Sequence, residues 1–450
     1  MITIAGPNEH IAKVWGTQLV KFYEAYRIMK YVFRVDYHDE VLLCNTITGH
    51  LVVLDSDEKQ LLNQLPQACN GLMTDLIYNH FLVPIDYNES EQVIKLQKVL
   101  HCLLVSESHD EAIIDYTILP TTACNARCYY CYEHGIPVFT MTDTIVHDTV
   151  RFIADHCGPN KKVNIRWFGG EPTVAAYRID QICKELYNYG IVYSSTMTTN
   201  GYLFDEEMVS RAKRIWNLKS VMICVDGTEN SYNNIKSFVN PKDNPFQRVM
   251  KNIGLLLEHG IKVGLRMNFD VDNYLEFKDV LKEVKERFNN NPLLQVYAFP
   301  VKGEFINKNG FIHHGSDDWF NSKIPELNDV ARSEGLFKRN KSLPSLFYSF
   351  CKAGDPSCMV ITPKGNLSRC TGIFSRPDQI IGNVKDGINN TAYRKTWSKF
   401  GHPQKCVNCV FFPSCVLIDQ CPGKGKCFLK ETTRQYEDAV INAFNTAKNS

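Results

Sequence analysis

The sequence predicts an α/β protein built on a partial (β/α)6, TIM-like barrel of parallel strands. A small α+β domain of winged-helix-like character precedes the barrel, and a cysteine-rich segment follows it. Three observations carry this. From Asp115 to Phe299, short β-branched and aromatic runs alternate with helical periodicity. Before that stretch, strands come first and helices after. Beyond it, periodicity weakens and cysteines accumulate. A chain of 450 residues is longer than one hydrophobic core usually serves. The expected divisions are residues 1–110, 111–300, a bridge of short helices at 301–350, and 351–450.

In the front domain, about Arg27 to Leu103, FRVDYHDEVLLCN and GHLVVLD read as a strand pair joined by a turn through ITG. Asp57 is expected to cap a helix over EKQLLNQL. GLMTDLIYNHF forms a second helix leading to Val83 and Pro84, and SEQVIKLQKVLHCLL closes the unit. The first two helices carry almost no basic residues, which argues against contact with nucleic-acid phosphates.

The barrel strands are DYTILP, VNIRWFG, IVYSSTMT, SVMICVD, KVGLRMNF and LQVYAF. Helical stretches separate them, and Gly190 and Gly260 stand where helix C-caps belong. Ligand sites in such sheets gather at the carboxyl ends of the strands.

Composition excludes several classes. Apolar residues make up 44%, charged residues 22%, and the net charge is +1, so nothing suggests bulk affinity for nucleic acid. No stretch approaches the roughly 20 apolar residues that span a bilayer. MITIAGPNEHIAKVW lacks the pattern of a signal peptide. A cytoplasmic protein without membrane partners is expected.

The 17 cysteines are unevenly placed. Cys44, Cys69, Cys102, Cys157, Cys183 and Cys224 are scattered and read as small buried apolar residues. Cys124, Cys128 and Cys131 fall in one loop, TTACNARCYYCYEHG, just past a strand. Eight more lie between Cys351 and Cys427, in CKAGDPSCMVITPKGNLSRC and CVNCVFFPSCVLIDQCPGKGKC. Disulfides suit an exported chain rather than this one, which leaves metal or iron–sulfur ligation. A structural zinc site wants four ligands. Three thiolates leave one iron of a cubane open.

The spacing Cys124-x3-Cys128-x2-Cys131, followed by aromatic residues, resembles the radical S-adenosylmethionine (SAM) signature. The resemblance implies a [4Fe–4S] cluster whose open iron binds SAM. One electron then cleaves SAM to methionine and a 5′-deoxyadenosyl radical, which abstracts a hydrogen atom from the substrate. Further segments match the family in order: WFGGEPT with Gly169, Gly170 and Glu171; TTNG with Asn200; VDG after Cys224, where relatives often carry Ser; and RMNFDVDN with Arg266 and Asn268. The resemblance makes these residues candidate SAM contacts. Glu171 is expected to accept from the SAM ammonium. Lys236 stands where many relatives direct an Arg at the SAM carboxylate, and Tyr130 is expected beside the cluster and adenine. Glu133, Asp226 and Asp270 are candidate bases, but none is specific enough to name as catalytic.

The carboxy-terminal segment resembles the SPASM extension, which holds two auxiliary [4Fe–4S] clusters. By that resemblance Cys351, Cys358, Cys370 and Cys421 serve one, and Cys406, Cys409, Cys415 and Cys427 the other. Five residues separate Cys415 from Cys421 where relatives commonly have three, and the last cysteine comes early.

SPASM relatives mostly modify peptides and proteins. The expected activity is that of a radical SAM oxidoreductase maturing a ribosomally made precursor peptide by an intramolecular crosslink, with a thioether preferred. The front domain would capture the leader of the precursor as an added edge strand. A flavodoxin- or ferredoxin-like protein would supply electrons. Carbon–carbon (cyclophane) crosslinking, peptide epimerisation and formylglycine formation are the alternatives. The last is disfavoured because Thr371 stands where sulfatase maturases carry an aspartate. A non-enzymatic electron carrier or scaffold is the contrasting reading.

Overall fold

The computed structural model describes residues 1–18, 20–21, 25–107, 112–301, 305–306, 312–313, 316–337, 342–346, 351–388, 404–415, 421 and 427–449. The chain divides into two compact units. One gathers Met1–His109, Arg339–Cys351 and Lys399–Ser450; the other gathers Asp110–Lys338 and Lys352–Ser398. This differs from the expected division, because the carboxy-terminal cysteines fall in both units.

The first unit opens with β1 (Ile2–Ala5), α1 (Glu9–Trp15), β2 (Ala25–Ile28), β3 (Val32–Tyr37), β4 (Glu40–Asn45), β5 (Leu51–Val53) and α2 (Ser56–Leu62). It continues with β6 (Gln67–Ala68), α3 (Thr74–Tyr78), β7 (Leu82–Pro84) and α4 (Glu89–Glu107). Strands β1, β5, β4 and β3 form one antiparallel sheet in that order, and β2 pairs with both β6 and β7 in another. FRVDYHDEVLLCN is thus a hairpin in itself, turning at His38, whose φ is +53°. The cap of α2 is Asp55 rather than Asp57. Its carboxylate accepts from the Glu58 amide, and Glu58 accepts from the Asp55 amide in return, a reciprocal cap that satisfies two end donors at once.

The second unit supplies β8 (Asp115–Ile118), α5 (Asp143–His156), β9 (Lys162–Trp167), α6 (Ala176–Asn188), β10 (Val192–Thr199), α7 (Glu206–Arg214) and β11 (Leu218–Cys224). Then come α8 (Glu229–Lys236), α9 (Pro245–Glu258), β12 (Lys262–Phe269), α10 (Phe277–Phe288) and β13 (Leu294–Pro300). The six strands β8 to β13 pair in sequence order, all parallel, and each crossover passes through a helix, as parallel pairing requires. Gly190 and Gly260 have φ of +69° and +70° just past Tyr189 and His259, which cap α6 and α9, a left-handed turn that costs glycine little.

After the short pair β14 (Phe305–Ile306) and β15 (Ile312–His313), the described residues of the bridge hold one helix, α11 (Asp317–Ser333). Asn328 of α11 accepts from the Ala298 amide of β13 at 2.8 Å, anchoring the helix to the last barrel strand. Most of residues 301–315 and 338–350 lie outside the described residues.

The apolar run CMVI forms β16 (Cys358–Ile361), which adds to the barrel sheet parallel to β8. The extension continues antiparallel through β17 (Asn366–Ser368), β18 (Gly382–Asn383) and β19 (Gly387–Ile388).

The chain re-enters the first unit with short turns at 404–415 and a final helix, α12 (Leu429–Lys448). Tyr436, Val440 and Phe444 of this helix pack with Phe411 against Phe33, Val35, Leu42 and Leu51 of the front sheet. A sheet needs a cover on its apolar face, and here the end of the chain supplies it. No helix among the described residues is long and apolar enough to cross a membrane.

Candidate functional site

The loop carrying Cys124, Cys128 and Cys131 leaves the carboxyl end of β8 and is held by backbone on several sides. The Glu171 amide donates to the Ala123 carbonyl at 2.8 Å, and the Gly170 amide to that of Thr121 at 3.2 Å. The Arg127 amide donates to the Lys236 carbonyl, and the Val239 amide to that of Asn125, each at 2.8 Å. A Cβ on Gly169 would overlap the Thr121 carbonyl oxygen, and one on Gly170 those of Thr122 and Ala123. The two glycines therefore admit the cysteine loop itself to close approach.

Glu171 is buried, and its carboxylate is occupied. One oxygen accepts from the Thr173 amide at 3.1 Å, the Thr173 hydroxyl at 2.5 Å and the Thr199 hydroxyl at 2.7 Å. The other accepts from the Asn200 amide at 2.7 Å. A carboxylate offers about four acceptor positions, so Glu171 ties the loop after β9 to the end of β10. Burial pushes its carboxyl up, against hydrogen bonds that favour the anion. The Asn200 side chain donates to the Asn125 side-chain oxygen at 2.7 Å, reaching the cysteine loop.

Beneath the loop lies a second buried network. The Tyr130 hydroxyl donates to Asp226, while it accepts from Lys236 at 2.9 Å and from the Asn268 side chain at 3.0 Å. Lys236 and Asp226 form an ion pair of 2.7 Å with side chains 4% and 0% exposed. The Asn268 amide donates to the other Asp226 oxygen at 3.0 Å. Burial opposes the Lys236 charge, but Asp226 and Tyr130 outweigh it and hold the group well above the usual lysine range. Tyr129, one residue earlier, donates its hydroxyl to Asp270. Sequence reasoning missed Asp226 and Asp270 as structural anchors of this loop. The signal was available in VDG and FDVDN, each placing a carboxylate just past a strand end.

The three thiols are half-buried and close enough that Cys128 and Cys131 each raise Cys124. Burial first, then Glu171, pushes Cys124 up to about 12; burial pushes Cys128 up to about 11, against the pull of Lys236. Such thiols ionise when a coordinated cation replaces the lost solvation. Asn125 Nδ2, Glu133 Oε2 and Arg266 Nε are buried without a hydrogen-bond partner. Among the described residues no three ligating side chains stand at single-ion spacing, but the chemistry of the donor set, three thiols of one loop beside unsatisfied polar atoms, suits a larger cysteine-ligated cluster with a polar organic ligand. Arg266 of β12 donates to the Cys224 sulfur at 3.4 Å, and its guanidinium lies 5.1 Å from the Phe299 ring centre.

The remaining cysteines are separated by unit. Cys358 is buried on β16 and Cys370 follows β17 in the second unit, where Arg369 donates to the carbonyls of Ala353, Asp355 and Cys358. Cys351, Cys406, Cys409, Cys415, Cys421 and Cys427 belong to the first unit. Cys427 raises the Cys409 thiol after burial does, so those two stand near each other. Of the scattered six, Cys44, Cys157, Cys183 and Cys224 are buried as expected, but Cys69 is only half-buried. The Cys102 side chain lies outside the described residues.

A parallel barrel sheet with a three-cysteine loop at its carboxyl rim defines a class of cluster-binding α/β proteins. Residues 118–284 match the Radical SAM superfamily, so this part of the chain is a radical SAM domain. It is 24% identical over 355 residues to the antilisterial bacteriocin subtilosin biosynthesis protein AlbA of Bacillus subtilis, spanning 75% of this chain and 72% of AlbA. It is 22% identical to the radical SAM cyclopropyl synthase TigE of Paramaledivibacter caminithermalis, spanning 86% and 88%. Among solved structures, native anSMEcpe with bound SAM aligns with a TM-score of 0.56 at 15% identity, covering 75% of this chain and all of that one. Streptococcus suis SuiB bound to precursor peptide SuiA aligns with a TM-score of 0.51 at 13% identity, covering 87% and 94%. These structural likenesses establish the shared fold.

Proposed function

We propose that this protein is a radical SAM peptide maturase that takes hydrogen from a ribosomally made precursor and closes an intramolecular crosslink, a thioether between a cysteine sulfur and a carbon. The observation that carries the reading is the Cys124–Cys131 loop, pinned by two buried networks at the carboxyl rim of the barrel. A peptide substrate is supported by the relation to AlbA, a bacteriocin biosynthesis protein. The fold shared with SuiB, solved with its precursor peptide, adds to that support.

Cys124, Cys128 and Cys131 would hold the SAM-binding cluster, which supplies hydrogen-atom abstraction when loaded and reduced. The chain's own part is positional. Glu171 and Asn200 fix the loop from one side, and Asp226, Lys236 and Asn268 fix it through Tyr130 from below. Forming a thioether removes one hydrogen atom from carbon and the thiol proton, and leaves one further electron. The two auxiliary cysteine sets, Cys351, Cys358, Cys370, Cys421 and Cys406, Cys409, Cys415, Cys427, would hold its acceptor. The nearness of Cys409 and Cys427 supports the second set. Electrons would arrive from a flavodoxin- or ferredoxin-like donor.

Carbon–carbon bond formation is the second reading, favoured by the match to the cyclopropyl synthase TigE over most of both chains. Co-expression with a candidate cysteine-containing precursor peptide separates the two. A product lighter by two hydrogens per bond, with its cysteines no longer alkylated by iodoacetamide, supports the thioether. The same mass loss with every cysteine still alkylated points to a carbon–carbon bond. An unchanged mass contradicts crosslinking.

A further inference from the structure

We propose that Arg266 is the anchor for the amino-acid carboxylate of SAM in this chain, in place of Lys236. This rests on the radical SAM reading of the site. The resemblance assigns that role to the position of Lys236, but Lys236 is already committed. It is buried, ion-paired to Asp226 at 2.7 Å and bonded to the Tyr130 hydroxyl at 2.9 Å. A second carboxylate brought to Lys236 would stand beside Asp226, and like charges sharing one cation repel strongly where water is excluded.

Arg266 is in the opposite condition. It lies on β12, paired in register with Cys224 of β11 and Tyr297 of β13, on the strand that also carries Asn268 of the Tyr130 network. Its side chain is partly exposed. Its bonds are a contact of Nη2 with the Cys224 sulfur at 3.4 Å and the face of Phe299. Nε is buried with no partner. No carboxylate is ion-paired to it among the described residues; the charged or ionisable groups beside it include Cys224, Tyr297, Tyr130 and Tyr132, the last two belonging to the cysteine loop. A half-buried guanidinium with an unused donor is costly to leave unmatched. Its planar fork suits a carboxylate, which it can grip through two parallel bonds. Cys224 offers only a weak sulfur acceptor, which a carboxylate would displace readily.

The test is equilibrium dialysis of reconstituted full-length protein against SAM and against decarboxylated SAM, with iron content measured alongside. Wild type is expected to prefer SAM by about tenfold or more, the range of a charge-assisted bond. Arg266→Met should bind the two ligands alike while keeping wild-type iron content. Arg266→Lys, which keeps the charge but not the fork, should retain part of the preference and covers the case that the methionine variant fails to load iron. Full wild-type preference in Arg266→Met overturns the proposal; a carboxylate of the substrate would then be the partner of Arg266. Absence of SAM binding in iron-loaded wild type would bring down the radical SAM reading itself, a result distinct from failure of Arg266 alone.

Discussion

At the scale of residues, the site is organised by how its charges are matched. Asp226 has Lys236, Glu171 has four donors from its own chain, and Asp270 has Tyr129. Removing one partner of a buried ion pair leaves an uncompensated charge and costs about 3–5 kcal/mol, whereas replacing both costs far less. Lys236→Met should therefore lower the unfolding midpoint in urea sharply, and the double variant Lys236→Met with Asp226→Asn should recover much of the loss. Equal midpoints for the single and double variants would contradict the pairing. The residue types were legible in the sequence, but their partners were not. Motif spacing marks which residues approach the cluster loop. It does not report that Lys236 is spent on Asp226, because that pairing joins α8 to the end of β11 through three-dimensional packing.

At the scale of elements, the six barrel strands and their helices follow from alternating apolar patterns, and the structure has each of them. The elements that escaped were those whose pattern is set by neighbours. CMVI reads as a short apolar run with no periodicity, and it becomes β16 only because β8 offers it an edge. The first unit offers two testable elements. The order of its four-stranded sheet places β3 at one edge among the described residues. The Thr46 amide donates to the Tyr31 carbonyl, so alternation along the Val32–Asn45 to Tyr37–Glu40 register turns the backbone of Arg34 and Asp36 away from β4. If a leader adds to this edge, Arg34→Pro should weaken precursor binding without changing the urea midpoint, because no ladder bond is lost. Unchanged affinity by titration calorimetry would place the leader elsewhere.

The second element is α1, held at its end by His80. The ring stacks on Trp15 at 3.8 Å between centres and bonds the Gly16 carbonyl at 2.8 Å. Burial, only partly offset by that bond, holds His80 below the usual histidine value of 6.5, and burial lowers His50 likewise. The unfolded chain therefore takes up these protons first as pH falls. Stability should drop below about pH 6.5 and be unaffected by these groups well above it. His80→Gln should flatten that slope when urea midpoints at pH 7.5 and 5.5 are compared. An unchanged slope would remove His80 from the account.

At the scale of the whole molecule, the two ends of the chain build one unit. The core shared by Phe33, Val35, Leu42, Tyr436, Val440 and Phe444 means that removing residues 1–105 would also strip α12 of its partner. For that reason the edge variant, rather than a truncation, is the sound probe of peptide capture. Sequence patterns gave the order of parts along the chain but not this closure, since contacts between residues some 400 positions apart leave no local periodicity. The same closure divides the carboxy-terminal cysteines between the units, which spacing alone did not reveal.

The central claim is that the Cys124–Cys131 loop arms a radical SAM enzyme. The direct measurement is anaerobic incubation of the reconstituted full-length protein with SAM and dithionite, followed by chromatography of the products. Methionine and 5′-deoxyadenosine should appear in equal amounts, and both should vanish in Cys128→Ala. Intact SAM after incubation with an iron-loaded, reduced protein would contradict the claim.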